Sequence, residues 1–264
     1  MTDTPTKGRG GRPPGKPDAH ELKRGAVVLI DALGFRGVWK KHKAPLVLHR
    51  LHAVRRAIEE EADAVNATLA ITTPVFLSDA ILITVEADRG DDKTERLAIE
   101  LAAGLALSAI EEAIAEQIKG VPAFTYRGCI AFGEVLPSGP FIVGPAIDEA
   151  AQWYEEAQAA VVWLLPSAAK WVEIGDTDAR LMKWDVPVKD HGTVTTTVLN
   201  PMASVRGLKT EDPETRSARM QDLRGRILQT FASEDVGVVA KKQATARLLD
   251  AGIAVCERVG ALDA

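Results

Sequence analysis

AVVLIDALGF (residues 26–35) and VFLSDAILITV (residues 75–85) decide how this chain folds. In the first, an apolar run rich in β-branched residues ends in an acid, Asp31, and Gly34 then supplies a turn; this reads as a buried strand over 26–31. In the second, two apolar runs flank the two-residue tip Ser78-Asp79, which is the signature of a hairpin between strands at 67–77 and 80–87. Pro74 offers no backbone donor, so it belongs at a sheet edge or a bulge.

Working outward, residues 44–66 carry Leu46, Leu48, Leu51, Val54, Ile58, Ala62 and Val65 at helical spacing, which predicts a long amphipathic helix before the hairpin. A second long helix, rich in Ala, Leu and Glu, follows at 93–118. Further strands are expected at 124–135, 161–165, 180–186 and 193–199, with a loop at 136–144, a helix at 145–159 and a short helix opening at Pro166-Ser167. Two helices are expected from 213 onward, the second over 236–258. Strands interleaved with helices form one sheet with helices packed against it, and a hairpin between the two long helices excludes a purely parallel arrangement. The fold class is therefore α+β, with a central, mostly antiparallel sheet and additional C-terminal helices. The expected division is a basic disordered tail at 1–22, a catalytic-type domain at 23–204 and a helical extension at 205–264.

Composition narrows the function classes. The chain has 264 residues, is 46% hydrophobic and 26% charged, and carries a formal net charge of -5. A negative balance gives no overall attraction to nucleic acid or to an anionic membrane. Residues 1–20 are basic and rich in Gly and Pro, and read as a solvated tail. No apolar run of about 18 residues is present to span a bilayer, and the N-terminus lacks the apolar segment of a signal peptide. Two well-separated cysteines, Cys129 and Cys256, fit packing residues in a reducing cytosol rather than a disulfide framework.

The candidate chemistry lies in three segments. Asp31 at a strand end, followed by the Leu33-Gly34-Phe35-Arg36 turn, offers a hard oxygen ligand for Mg²⁺ or Mn²⁺ and backbone N–H groups that attract phosphate. Asp79 at the hairpin tip adds a second carboxylate from another strand. RGCIAFGEV (127–135) ends a strand in Gly133-Glu134 and is followed by GPAIDEAAQ (144–152), whose helix sets Asp148 and Gln152 four residues apart on one face. Each segment alone has an ordinary structural explanation: an acid closing a turn, a salt-bridging Arg127, a solvated helix face. Trp39 and Trp153 read as packing residues, and His42, His49 and His52 as surface groups without zinc-ligand spacing.

Together, in this order, the segments resemble the catalytic domain of class III nucleotide cyclases. Asp31 to Phe35 is similar to the family's acid-x-x-Gly-Phe strand, Ser78-Asp79 to its small-residue-plus-Asp hairpin tip, Arg127 to Glu134 to its Arg-x-Gly-Ile-x-x-Gly-Glu strand with one glycine displaced, and Gly144 to Gln152, in part, to its Gly-x-x-Val-Asn-x-Ala-x-Arg helix. The resemblance covers roughly residues 25–200. It implies a ferredoxin-like βαββαβ-type core, two divalent metal ions (Mn²⁺ or Mg²⁺) on Asp31, Asp79 and the Ala32 carbonyl, and a homodimer with active sites at the interface. Where the family places a purine-selecting Lys, four residues before the hairpin Asp, this chain has Val75; its second purine-contacting position, seven before the helix Asn, is Phe141. The helix Asn is Asp148 and the transition-state Arg is Gln152. Both metal acids are kept while purine readout is absent, a pattern similar to the bacterial pyrimidine cyclases of antiphage Pycsar systems, which signal to a separate effector protein. The implied reaction is UTP, or CTP, to the 3′,5′-cyclic nucleotide. Substrate contacts are expected from Leu33, Gly34, Phe35, Arg36, Val75, Phe141 and Lys189. Arg36, Arg127 or Lys189 is expected to replace the missing charge at Gln152. ATP or GTP cyclisation, and a cyclase-like dimerisation or nucleotide-binding module without catalysis, are the alternatives.

Overall fold

The computed structural model describes residues 22–35, 37–65, 74–87, 91–115, 120–138, 141–175, 178–204 and 212–262. The expected basic tail up to residue 21, Arg36 and the expected strand residues 67–73 lie outside these. The buried run becomes β1 (Lys23–Leu33), which lies between two antiparallel neighbours. A short helix, α1 (Val38–Lys41), and the long α2 (Ala44–Val65) follow. The hairpin is β2 (Val75–Leu77) and β3 (Ala80–Glu86), with Leu77 paired to Ala80 across the Ser78-Asp79 tip. Then come α3 (Asp92–Ile114) and β4 (Thr125–Ser138). These four strands stand in the order β2-β3-β1-β4, each pair antiparallel, so the expected βαββαβ core is present.

β4 extends past the expected strand end at 135 and turns back into β5 (Phe141–Val143), with Leu136 opposite Val143; the expected 136–144 loop is thus a hairpin arm, and Pro137 sits in it at the sheet margin. The helix expected at 145–159 is α4 (Pro145–Trp153) and stops six residues early. Its stop has a backbone cause. Gln158 N–H donates to Pro187 O at 2.7 Å, Lys189 N–H donates to Glu156 O at 2.9 Å, and Ala157 bridges Val188, so these amides are committed to the sheet. The remaining strands are β6 (Val162–Leu164), β7 (Leu181–Val188) and β8 (Gly192–Leu199), with α5 (Pro166–Ala169) between the first two. β6 joins β4 in parallel and the sheet ends in β8-β7. A single 3₁₀ turn (Pro201–Ser204), α6 (Pro213–Gln229) and α7 (Val236–Leu262) complete the described chain.

Alternating residues of β1 feed two cores. Ala26, Val28 and Ile30 pack under α2 and α3, while Val27 faces α4 on the other side, as period-2 alternation requires. On α2 the buried stripe runs through Val47, Arg50, Val54, Ile58 and Ala62; Leu48, expected in it, is 49% exposed. Arg50 belongs to the stripe because its guanidinium ties off the end of α3: Nη1 donates to Glu112 O at 2.6 Å, Nη2 to Ala115 O at 3.3 Å and Nε to Pro122 O at 3.1 Å. Carbonyls at a helix C-terminus have no partner within the helix. α7 joins both cores, with Leu249, Ile253 and Cys256 on the α3 side and Ala244 and Leu248 on the α4 side. Cys129 and Cys256 are buried and free, as expected.

Candidate active site

β1 carries Asp31 near its C-terminal end, where the register sets it opposite Ala80 of β3 and Arg127 of β4. Ala80 directly follows the hairpin tip. Ser78 takes a left-handed φ of 59° there, a turn conformation uncommon for a residue with a side chain. The result is that two acids far apart in sequence share a hydrogen bond between their side chains, Asp31 to Asp79.

The environment of Asp31 is unfavourable for a lone carboxylate. Its side chain is only 17% exposed. Its pKa is raised from 3.8 to about 7, first by burial, then by the charge of Asp79 and the hydrogen bond shared with it, with a small further push from Glu155. The Arg127 guanidinium, 3.8 Å from the Asp31 carboxylate, pulls the other way. A desolvated carboxyl group set against a second acid must share a proton or hold a cation. The donor types at this strand end suit a hard divalent cation: carboxylate oxygens from two strands, with the Ala32 carbonyl one residue on. Ala32 O accepts from Phe35 N–H at a long 3.4 Å, so it retains capacity. Among the described residues no group of three or more His, Cys, Asp or Glu side chains converges; further ligands would come from substrate phosphate and water.

Arg127 is held by the turn after α4. Nη1 donates to Glu155 O and to Ala157 O, and Nη2 lies 3.9 Å from the Glu155 carboxylate. Its Nε is buried with no hydrogen-bond partner. Next to Glu155, the Tyr154 hydroxyl is pushed up to about 12 by burial, by its hydrogen bond to Glu155 and by nearby negative charge that includes Asp31. Sequence reasoning misses Tyr154 and Glu155, because the expected helix runs through them; only its earlier stop turns them toward Arg127. Gly128, next to Arg127, lies so close to β1 that a Cβ would stand 2.1 Å from Leu29 O. That close approach fixes the spacing of Asp31 and Arg127.

The other expected residues fall into separate places. Leu33 and Gly34 (φ 78°) form the turn after Asp31 and border a cavity of about 450 Å³ with Lys40, Lys41, His42 and Arg226. Phe35 is buried against Phe124 and Trp39 at ring distances of 5.3 and 5.6 Å, so it anchors the turn. Val75 on β2 and Phe141 on β5 are 44% and 67% exposed. Asp148 and Gln152 lie on α4, both exposed, and no hydrogen bond or ion pair among the described residues links them to the acid pair. Lys189 is exposed at the β7–β8 turn. Trp153 packs against Trp163 and His191, as a packing residue. No helix among the described residues is long and apolar enough to cross a membrane.

Solved structures similar to this fold include guanylyl cyclase domains. A double mutant of the guanylyl cyclase domain of the RhoGC fusion protein from the aquatic fungus Blastocladiella emersonii superposes with a TM-score of 0.51 at 16% identity, over 67% of this chain and 95% of that one. The catalytic core of a rhodopsin-guanylyl cyclase with converted specificity, in complex with ATPαS, gives 0.50 at 16% identity over 67% and 96%. The chain has the nucleotide cyclase fold. No protein-family profile matches the sequence, and no curated protein matches it. Within the nucleotide cyclase fold, Asp31 and Asp79 occupy one strand end and the adjoining hairpin tip.

Proposed function

We propose that this chain is a metal-dependent nucleotide cyclase acting on a pyrimidine nucleoside triphosphate, UTP before CTP, to give the 3′,5′-cyclic nucleotide and diphosphate. The carrying observation is the Asp31–Asp79 pair: two carboxyl groups in contact, with Asp31 largely out of water, at the end of a central strand. A purely structural pair of this kind costs stability without return, whereas a divalent-cation site needs it.

In the reaction the ribose 3′-oxygen forms a bond to the α-phosphorus, the bond to the diphosphate oxygen breaks, and the 3′-hydroxyl proton leaves to solvent. Two divalent cations, Mg²⁺ or Mn²⁺, supply when bound activation of the 3′-hydroxyl and charge compensation for the triphosphate. Asp31, Asp79 and the Ala32 carbonyl would hold them. The turn residues Leu33, Gly34 and Phe35 orient phosphate through backbone N–H groups. Arg127 is tethered at Glu155 and Ala157 and supplies positive charge that neutral Gln152 does not. Apolar, exposed Val75 and Phe141 support a base pocket without hydrogen-bonding readout of a purine. Large exposed apolar side chains, Leu77 at 77% and Phe141 at 67%, support their burial against a second copy in a homodimer. The wider role we infer is cytoplasmic synthesis of a second messenger in antiphage defence, read by a separate effector; residues 23–204 form the cyclase unit and 205–264 its extension.

Incubation of the full chain with each of UTP, CTP, ATP and GTP plus Mn²⁺ tests the reading. Cyclic UMP as the main product supports it, and a purine cyclic nucleotide as the main product replaces the base assignment. Absence of any cyclic product, with triphosphate still bound, returns the chain to a nucleotide-binding module.

A further inference from the structure

Three stretches of chain that carry basic residues, from three distant parts of the sequence, are fastened to the segment 155–160. Arg127, on β4, donates to the carbonyls of Glu155 and Ala157. Lys189, at the β7–β8 turn, is pinned through its own N–H to Glu156 O at 2.9 Å. α7 is pinned by Thr245, whose hydroxyl accepts from Ala160 N–H at 2.8 Å inside the core. Lys241 stands one helical turn before Thr245, hence on the same face. α7 therefore lowers Lys241 onto the edge of the segment that carries Arg127 and Lys189. Arg127 in turn lies 3.8 Å from Asp31.

We propose that Lys241 is a substrate-binding residue: with Arg127 and Lys189 it forms a cationic cradle, on the outer side of the acid pair, for the polyphosphate of a nucleoside triphosphate. The identity of that anion rests on the cyclase reading above. Three cations brought together by folding repel one another. Lys241 feels this directly, since its pKa is lowered by burial first and then by the charges of Arg127 and Lys189, with only Asp235 opposing. Among the described residues its amino group has no hydrogen-bond or ion-pair partner. A half-buried ammonium set beside two other cations gains from an anion, and a polyphosphate extending outward from ions held at Asp31 and Asp79 supplies one. The cradle also accounts for Gln152: charge that α4 lacks is delivered by β4, the β7–β8 turn and α7. Lys242, the next residue along, is exposed on another face and serves as the control.

The test uses the full chain and two probes. Inorganic tripolyphosphate, titrated calorimetrically without metal, reads the cradle alone. Lys241→Ala is expected to weaken it about tenfold, the value of one charge-assisted contact, while Lys241→Arg stays near wild type and Lys242→Ala is unchanged. Unfolding temperatures of all variants are expected to match wild type. UTP turnover with Mn²⁺ reads the enzyme: Lys241→Ala is expected to raise KM about tenfold with a smaller loss in kcat. Wild-type tripolyphosphate affinity or wild-type KM in Lys241→Ala overturns the proposal and leaves the cyclase reading standing. Lys241-dependent tripolyphosphate binding without any cyclic product supports the cradle and removes the cyclase reading. Equal loss in Lys241→Ala and Lys242→Ala overturns it as well, because the effect is then general surface charge.

Discussion

Asp79→Asn is the substitution that separates the electrostatic account of the site from a merely structural one. In metal-free protein above pH 7 Asp31 is ionised and is repelled by the charge of Asp79. Asp31 rises from 3.8 to about 7, and at about 1.4 kcal/mol per tenfold change that is a ceiling of about 4 kcal/mol of unfavourable interaction. Burial is the first cause and remains in the variant; the charge of Asp79 and the shared hydrogen bond come next. Asp79 is itself only half-buried, so solvent screens its share further, and about 1 kcal/mol remains as the part that the substitution releases. Asn suits the hairpin turn as well as Asp does. For a chain of this length the gain is about 2–4 °C in unfolding temperature.

The pH dependence is distinctive. A carboxyl whose folded pKa is raised binds its proton more tightly in the folded chain. Metal-free wild type is therefore most stable below about pH 4 as far as this group is concerned, and loses that share as pH climbs from about 4 to about 7. At about pH 5 Asp31 carries the proton and donates it to Asp79, so the variant gains nothing; at about pH 8 the variant melts higher than wild type. Differential scanning calorimetry with chelator at the two pH values measures this, and Mn²⁺ at the higher pH is expected to stabilise wild type and not the variant. Cyclic nucleotide formation is expected to vanish. A variant that is less stable at the higher pH, or equally shifted at both pH values, refutes the premise that the two carboxyl groups share one local field.

Asp31→Asn is expected to abolish cyclic nucleotide formation while far-UV circular dichroism stays native. Gly128→Ala drives a Cβ to 2.1 Å from Leu29 O and is expected to cost about 3 kcal/mol through overpacking at the β1–β4 approach, read as a lower urea midpoint. Thr245→Val keeps shape but leaves Ala160 N–H unpaired in the core, for about 1–3 kcal/mol, measured the same way. Removal of residues 212–264 strips Met220, Leu223, Ile227, Leu248, Leu249 and Ile253 from the cores; at about 1.5–3 kcal/mol each this is on the order of 10 kcal/mol, so the shortened chain is expected to show no cooperative transition.

Local signals made the sheet centre legible. β1, the β2–β3 hairpin and β4 are apolar runs bounded by turn residues, and their order alone implied the antiparallel core. The acid pair was legible because turn chemistry puts Asp79 at a tip. What escaped is set by long-range pairing. Pro137 argues for a loop at 136–144, yet it pairs with Ile142, because at the sheet margin the missing N–H goes unused. The end of α4 depends on amides claimed by residues 187–189, which no local pattern announces. Arg50 sits in an apolar helical stripe, and its charge alone argues for the surface; its reason is the open carbonyls of α3, visible only once the helices are packed. Lys241 lies in a helix whose sequence gives no hint that Ala160 waits below it.

These long-range features bear on the same few residues. The Asp31–Asp79 contact is unfavourable in the free protein, and an unfavourable contact persists only where the surroundings over-determine it. Gly128 brings β4 against β1, which sets the Asp31–Arg127 spacing. The backbone bonds of 156 and 158 hold the turn that presents Tyr154 and Glu155, and Glu155 holds Arg127. Thr245 fastens that segment to α7 from beneath. α7 in turn is buried on both sides of the sheet, with Leu249 in one core and Leu248 in the other, and Asn200 donates to Gly252 O at 3.1 Å and to Ala179 O at 2.9 Å. The C-terminal helices are thus mechanically continuous with the acid pair: a change that loosens α7 frees the 155–160 segment, then Arg127, then the only cation within reach of Asp31 among the described residues. Loss of activity from substitutions deep in α7 is the consequence, and it would arrive with a further rise in the Asp31 pKa rather than with displacement of either acid.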